Sequence, residues 1–241
     1  CVGRIRGSSM TQVKAVKRNC LAQPLSNVLS AGCWLNQTCF IVGGGPSLKG
    51  FDWQRLVGQK VIGTNKTFIQ YAADINYSMD ETFFDSVEFD PGKNHPNFQT
   101  HAAWKSYKGL KVFVRHKSER FAPGIYYVNA LDRKGFSYDL KAGIYPGDNS
   151  GFGAMMLAAA LGAKRIGLLG FDLCVEKNQT HWHEGYAGQQ AKSLEKHLKK
   201  FRQTIDAFAS GFEAQGIEVV NLSPISELNN YPKSDIKTFL T

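Results

Sequence analysis

The stretch "CFIVGGGPSLKGFDW", residues 39–53, passes from four apolar residues straight into three glycines, a proline and a serine. A short apolar run bounded by turn residues predicts a fully buried strand. The glycines then place a loop without Cβ atoms at the strand's exit, where backbone N–H groups can come close to an anion. Pro46 pre-sets the first turn of whatever follows. In a parallel sheet, ligands sit beyond the carboxyl ends of the strands, and the exit of the first core strand is the usual phosphate site. Spacing alone does not assign the loop. A GxGxxG pattern would need glycine at 48, which is Leu48, and the Walker A Lys-Ser/Thr pair is missing, so a plain structural turn would use the same residues.

Outward from this loop, apolar runs bounded by turn residues recur with helical stretches between them: "KVIGT" (60–64), "INYSM" (75–79), "KVFVRH" (111–116), "RIGLLGF" (165–171) and "IEVVNL" (217–222). The alternation predicts an α/β fold, a Rossmann-like and mostly parallel sheet with helices on both faces, in a single domain. Leu194, Leu198, Phe201, Ile205, Phe208 and Phe212 repeat at steps of four and three, which predicts one helix over 187–213, ended by Gly216. "GFGAMMLAAALG" (151–162) is apolar nearly all round, so this helix should lie between the sheet and another layer. Residues 1–36 show little periodicity and are expected to form a poorly packed leader ahead of a domain spanning 37–241. Residues 88–98 and 117–148, rich in Gly, Pro and charge, are expected to be loops near a site.

Composition sets outer bounds. A chain of 241 residues, 43% of them apolar, can bury a sizeable core, and it contains no apolar run long enough for a membrane span. Its first residue is Cys1, which leaves open a fragment or a start at Met10. Five cysteines with no CxxC pair point to reduced thiols and a cytoplasmic location. Lys and Arg exceed Asp and Glu by nine, which favours anionic partners of any kind. Much of the excess lies in Lys192, Lys196, Lys199, Lys200 and Arg202, a pattern that a solvated helix face explains as well.

Other strand ends add polar residues at the same edge. "GTNKT" places Asn65 where an amide could bond a base or ribose, or could cap a helix. "SMDET" places Asp80, and "GFDLC" places Asp172. Asn149, Ser150 and Gly151 open the apolar helix, where free N–H groups and the positive end of the dipole attract phosphate. Downstream, "THWHEGY" carries His181 and His183, which in an extended segment point the same way and could supply a general base or half of a metal site. Asp172 or Asp80 could complete such a site, but no cysteine or further histidine lies at ligand spacing, and no dedicated metal site is expected.

"IVGGGPSLKGFDWQRL", "GTN", "NSGFGAMMLAAALGAKRIGLLGFD" and the following histidine resemble, in order and approximate spacing, the bacterial lipooligosaccharide sialyltransferases that use a CMP-sugar. They are similar also to a group of phage and prophage proteins with "GGGPSL", "NSG" and "THWH" signatures, and more distantly to the hydroxymethylpterin diphosphokinase-like domain. The resemblance spans roughly residues 39–222. It implies that Gly43, Gly44, Gly45, Pro46, Ser47 and Asn65 hold a nucleotide, that Ser150 and Gly151 lie against its phosphate or ribose, and that a histidine after the fifth run, His183 before His181, is the base. The chain departs from the sialyltransferase pattern at Gly44, at Met79 or Asp80, and at Cys174.

These readings lead to a nucleotide-dependent transferase. It would move a sugar from a CMP- or other nucleotide-sugar donor to a hydroxyl on an anionic glycan or small-molecule acceptor, with His183 as general base. A CMP donor leaves with a single phosphate and requires no cofactor. The pterin-kinase resemblance implies an alternative, pyrophosphoryl transfer from ATP with Asp80 and Asp172 holding Mg²⁺. A third reading is a non-catalytic nucleic-acid or virion-associated binding protein using the Lys192–Arg202 face. The absence of aromatics interleaved with those basic residues argues against it.

Overall fold

The computed structural model describes residues 22–115, 122–175, 181 and 191–241. Each apolar run named above becomes a strand: β2 (Thr38–Val42), β3 (Lys60–Thr64), β4 (Ile75–Ser78), β5 (Leu110–Arg115), β7 (Arg165–Leu169) and β8 (Glu218–Asn221). Two more, β1 (Gln23–Pro24) and β6 (Ile125–Asn129), extend one edge. All eight pair in parallel in the order β1-β6-β5-β4-β3-β2-β7-β8. From β2 the chain moves through β3, β4, β5 and β6 toward one edge, then returns across the sheet to β7 on the other side of β2. The chain therefore leaves β2 and β7 in opposite directions along the sheet, which makes the topological switch point where doubly wound sheets bind ligands.

Successive residues of a strand point to opposite faces, and the core follows that alternation. Cys39 and Ile41 of β2, with Ile62, Ile75, Ile166 and Leu168, pack under helix α3 (Ser150–Leu161). Phe40 and Val42, with Val61 and Leu169, face Leu48, Leu56 and Phe239 of the C-terminal helix (Ile236–Leu240). Farther along that second face, helices α1 (Glu81–Glu88) and α2 (Phe98–Ser106) bring Phe83, Phe84 and Trp104 onto Phe113 of β5. Helix α3 is buried at every position but Gly151, as its all-round apolar sequence predicts, and Gly162 ends it in the left-handed conformation at φ +98°. Among the described residues, no helix is long and apolar enough to cross a membrane.

Three expectations change. The single helix over 187–213 is two within the described residues, α4 (Ala191–Asp206) and α5 (Ala209–Ala214). At the break, Phe208 N–H bonds the Ile205 carbonyl, three residues back, and its ring turns onto Phe152 at 4.7 Å between centroids. The stripe itself persists, with Leu198, Ile205 and Phe212 buried. The loop expected over 117–148 contains β6. The leader expected over 1–36 is packed from residue 22 onward, since Ala22, Leu25 and Trp34 are buried. There Gly32 and Trp34 donate N–H bonds to Ala160 and Leu161, and Asn36 to Gly162, which satisfies the last carbonyls of α3. Residues 1–21 lie outside the described residues.

Candidate functional site

The glycine loop is built around its neighbour. Gly43 donates to the Leu169 carbonyl at 2.7 Å and Gly45 to the Gly170 carbonyl at 2.8 Å, so the exit of β2 zips onto the exit of β7. A Cβ on Gly43 would stand 2.6 Å from the Gly170 oxygen, and one on Gly45 would stand 2.5 Å from the Asp172 carboxylate. Those two glycines are required by close backbone approach. Gly44 differs: its Cβ position points at the His181 ring, 2.9 Å from Cδ2 and 3.7 Å from Nε2. His181 thus lies over the middle of the loop.

Asp172 is fully buried, and Ser47 donates to it twice, from its N–H at 2.7 Å and its hydroxyl at 2.5 Å. The pair ties the two exit loops together across the switch point, so both the Ser47 hydroxyl and the Asp172 carboxylate are committed to holding the loop's shape. Pro46 is buried and opens a single 3-10 turn over Pro46–Leu48.

Next along the rim, Thr64 and Thr67 both donate to the Val42 carbonyl, at 3.0 and 3.2 Å, which anchors the exit of β3 to that of β2. Asn65 adopts φ +49°, a left-handed conformation that asparagine tolerates better than most residues. Its Oδ1 accepts from Ser78 at 2.8 Å and from Ser150 at 3.3 Å, while the Ser150 hydroxyl accepts from Met79 N–H. Asn149 caps α3 by accepting from Phe152 N–H at 2.8 Å. A Cβ on Gly151 would sit 2.9 Å from the Phe171 ring, so the first turn of α3 is wedged between the exits of β3, β4 and β7. Asp80 is also an N-cap, accepting from Thr82 and Phe83 at the start of α1, and is exposed.

Among the described residues, the N–H groups of Gly44, Ser150 and Gly151 and the side-chain amide of Asn65 have no hydrogen-bond partner. Ser150 and Gly151 supply two of the orphan donors at the start of a helix, where the dipole is positive. Lys66, which sequence reasoning passed over, follows Asn65 directly and is half-buried, and burial pulls its ammonium pKa down. The signal available was its place in "GTNKT", one residue past the strand end. The rim therefore presents backbone and amide donors, as a phosphate would require.

Among the described residues no three His, Cys, Asp or Glu side chains gather as a metal-binding group. Asp172, as noted, already serves Ser47. His183 lies outside the described residues. The basic face of α4 is partly neutralised: Lys200 approaches Asp148 at 3.4 Å, and Arg202 pairs with Glu227 while donating to the Leu173 carbonyl at 2.6 Å.

No family model matches the chain, and no curated protein matches its sequence. Its fold is similar to that of solved glycosyltransferases. The MAf glycosyltransferase from Magnetospirillum magneticum superposes with a TM-score of 0.53 at 14% identity, over 87% of this chain. The chain spans only 35% of that protein's length. The sialyltransferase CstII in complex with a trisaccharide acceptor and CMP aligns at a TM-score of 0.48 and 15% identity, covering 81% of this chain and 85% of its own. CstII from Campylobacter jejuni in complex with cytidine-5'-monophosphate aligns at 0.44 and 16% identity, over 81% of this chain and 84% of its own. At 14% identity the likeness to the MAf glycosyltransferase establishes a shared α/β architecture.

Proposed function

We propose that the protein is a nucleotide-dependent glycosyltransferase that moves a sugar from a CMP- or other nucleotide-sugar donor to a hydroxyl acceptor. The observation that carries this reading is the set of donors at one rim without a partner among the described residues, on Gly44, Asn65, Ser150 and Gly151, beside the switch point and with His181 over Gly44. The order of motifs along the chain, which resembles the sialyltransferases, supports it, as does the fold shared with a solved glycosyltransferase.

In this mechanism the backbone donors of Gly44, Ser150 and Gly151 hold the donor phosphate and stabilise the charge that builds on it as the glycosidic bond breaks. A histidine of the "THWH" segment removes the acceptor proton. General-base assistance of this kind contributes about 10²–10⁴-fold. His181 stands over the loop, and His183, two residues on, is the other candidate. Asp172 and Ser47 position the loop and take no proton. The pyrophosphokinase alternative asks Asp80 and Asp172 to hold Mg²⁺, and the hydrogen bonds both carboxylates make give it no support.

A thermal-shift panel of CMP, CDP, UDP, GDP, ADP and ATP, each with Mg²⁺ and with EDTA, tests the reading. The expected result is stabilisation by a cytidine nucleotide that survives EDTA, with donor hydrolysis and transfer abolished in either His181→Ala or His183→Ala. A response restricted to ATP with Mg²⁺ would move the protein to the kinase class, and no response to any nucleotide would defeat both.

A further inference from the structure

Phe171 is buried at the exit of β7, and the two glycines that face its ring belong to different parts of the rim. A Cβ on Gly43, the first residue of the glycine loop, would lie 3.3 Å from ring atom Cδ2. One on Gly151, the second residue of α3, would lie 2.9 Å from Cε1 and 3.0 Å from Cζ. Cδ2 and Cε1 are diagonally opposite carbons of a phenyl ring. The ring therefore fills the gap between the glycine loop and the first turn of α3, with one corner toward each. Protein interiors are close-packed, so the width of such a gap is set by what fills it.

The backbone of Phe171 is fixed as well. Its N–H donates to the Ser223 hydroxyl at 2.8 Å, and its carbonyl accepts from the Ser226 hydroxyl at 2.6 Å. Both serines are buried and lie in the segment that follows β8. Ser223 N–H in turn bonds the Asn221 side chain at 3.0 Å, and Leu228 N–H bonds the Ser226 hydroxyl at 3.2 Å. One residue on, the Asp172 carbonyl accepts from Glu227 N–H at 3.0 Å while its carboxylate takes both Ser47 bonds. Phe171 cannot shift without breaking buried hydrogen bonds, and each one broken leaves a polar group unsatisfied.

Donors without a partner among the described residues flank this ring: Gly44 N–H next to Gly43 on one side, the Ser150 and Gly151 N–H groups on the other. A phosphate bound by both groups needs them at one separation, because a hydrogen bond is confined to about 2.7–3.2 Å and to near-linear angles. We infer that Phe171 is a positioning residue for that phosphate: the length of its ring sets the separation between the Gly44 donor and the Ser150 and Gly151 donors. The inference rests on the proposed function, in which those donors hold a nucleotide phosphate.

Leucine tests the length of the ring. Its branch ends where the phenyl Cδ atoms do, so Phe171→Leu keeps the corner toward Gly43 and deletes Cε1 and Cζ, the atoms toward Gly151. Gly151→Ala adds a methyl on that side. Binding of CMP and of inorganic phosphate to the full chain is titrated by calorimetry for the wild type, both single variants and the double variant. Phe239→Leu, which deletes the same atoms where the C-terminal helix packs on Phe40 and Arg165, is the control for lost core packing. Each single variant should weaken CMP by about tenfold or more, the worth of one hydrogen bond to a charged group. The double variant, whose methyl occupies the space the ring gave up, should bind CMP about threefold or more tighter than either single, a coupling that independent sites do not show. Phe239→Leu should lose stability in urea and keep wild-type affinity. If Phe171→Leu does not fold, Gly151→Ala carries the test, since it alters the same gap from the other side. Wild-type affinity in the single variants, a double variant no tighter than the singles, or an equal loss in Phe239→Leu overturns the positioning role and leaves the nucleotide reading standing. A wild type that binds phosphate but not CMP, with the same pattern among the variants, removes the nucleotide and keeps the role of Phe171, and a wild type that binds neither overturns both.

Discussion

The three glycines of "GGGPS" look alike in the sequence, yet they differ in what surrounds each Cβ position. An alanine at 43 or 45 would push a methyl into the Gly170 carbonyl at 2.6–2.7 Å, and at 45 also into the Asp172 carboxylate; backbone there cannot step aside cheaply. Gly43→Ala and Gly45→Ala should each lower stability by about 1–3 kcal/mol in urea unfolding. Gly44→Ala meets only the edge of a side chain, the His181 ring, and no backbone. It should stay within about 0.5 kcal/mol of wild type while losing the nucleotide-induced thermal shift. If Gly44→Ala unfolds as readily as its neighbours, or still responds to nucleotide, the loop is a structural turn and no cradle. Much of this site was legible beforehand, because a glycine loop, an asparagine and a helix start at successive strand exits are sequence features. What could not be read were the partners. Nothing in "GFDLC" reveals that Asp172 would be claimed by Ser47, 125 residues away, because that pairing is set by the close approach of two loops.

Among the elements, α3 connects fold and site most directly: its length is core and its first turn is rim. Asn149 holds that turn by accepting from Phe152 N–H. Asn149→Ala should cost about 0.5–2 kcal/mol, the usual loss for an N-cap, and should also weaken nucleotide binding as the Ser150 and Gly151 donors lose alignment. Asn149→Asp separates the two effects. A carboxylate still caps and suits the positive end of the dipole but loses the amide's bond to Asp148 and faces that carboxylate, so the melting temperature should fall less than in Asn149→Ala, while a negative charge beside the phosphate should weaken the nucleotide's shift. Equal nucleotide shifts for wild type and Asn149→Asp would place the phosphate elsewhere. The sequence makes α3 plain because nearly every position is apolar. It hides β6, since "IYYVN" sits among glycines, prolines and charges and gains its strand character by pairing with β5 over Lys111–Arg115 and with β1. The break between α4 and α5 is equally invisible to periodicity, because Phe208 keeps its place in the stripe and leaves the helix to reach Phe152.

For the molecule as a whole, the layering that buries the sheet also buries phenols, and this sets a limit on its pH range. Tyr77, Tyr107 and Tyr231 are buried, and burial pushes all three pKa values far above the ordinary value of about 10. Tyr107 donates to the Ala73 carbonyl and Tyr231 to the Ile205 carbonyl, both at 2.7 Å, while Tyr77 has its hydroxyl against α3 with no partner among the described residues. The unfolded chain releases these protons near pH 10 and the folded chain keeps them. The stability they contribute is therefore complete below pH 10 and falls as pH rises above it, by about 1.4 kcal/mol per pH unit for each group. Lys66 and Lys111 act in the opposite sense, since burial lowers their pKa values and deprotonation at high pH relieves a desolvation cost. They are only half-buried, so the three enclosed phenols should dominate. Urea midpoints measured from pH 8 to 11 should be level up to about pH 10 and then drop steeply, and three of the chain's nine tyrosines should add to the absorbance at 295 nm only on unfolding. A folded chain whose 295 nm signal already accounts for all nine phenolates, or midpoints that stay level to pH 11, would mean that the packing around Tyr77 and α3 admits water.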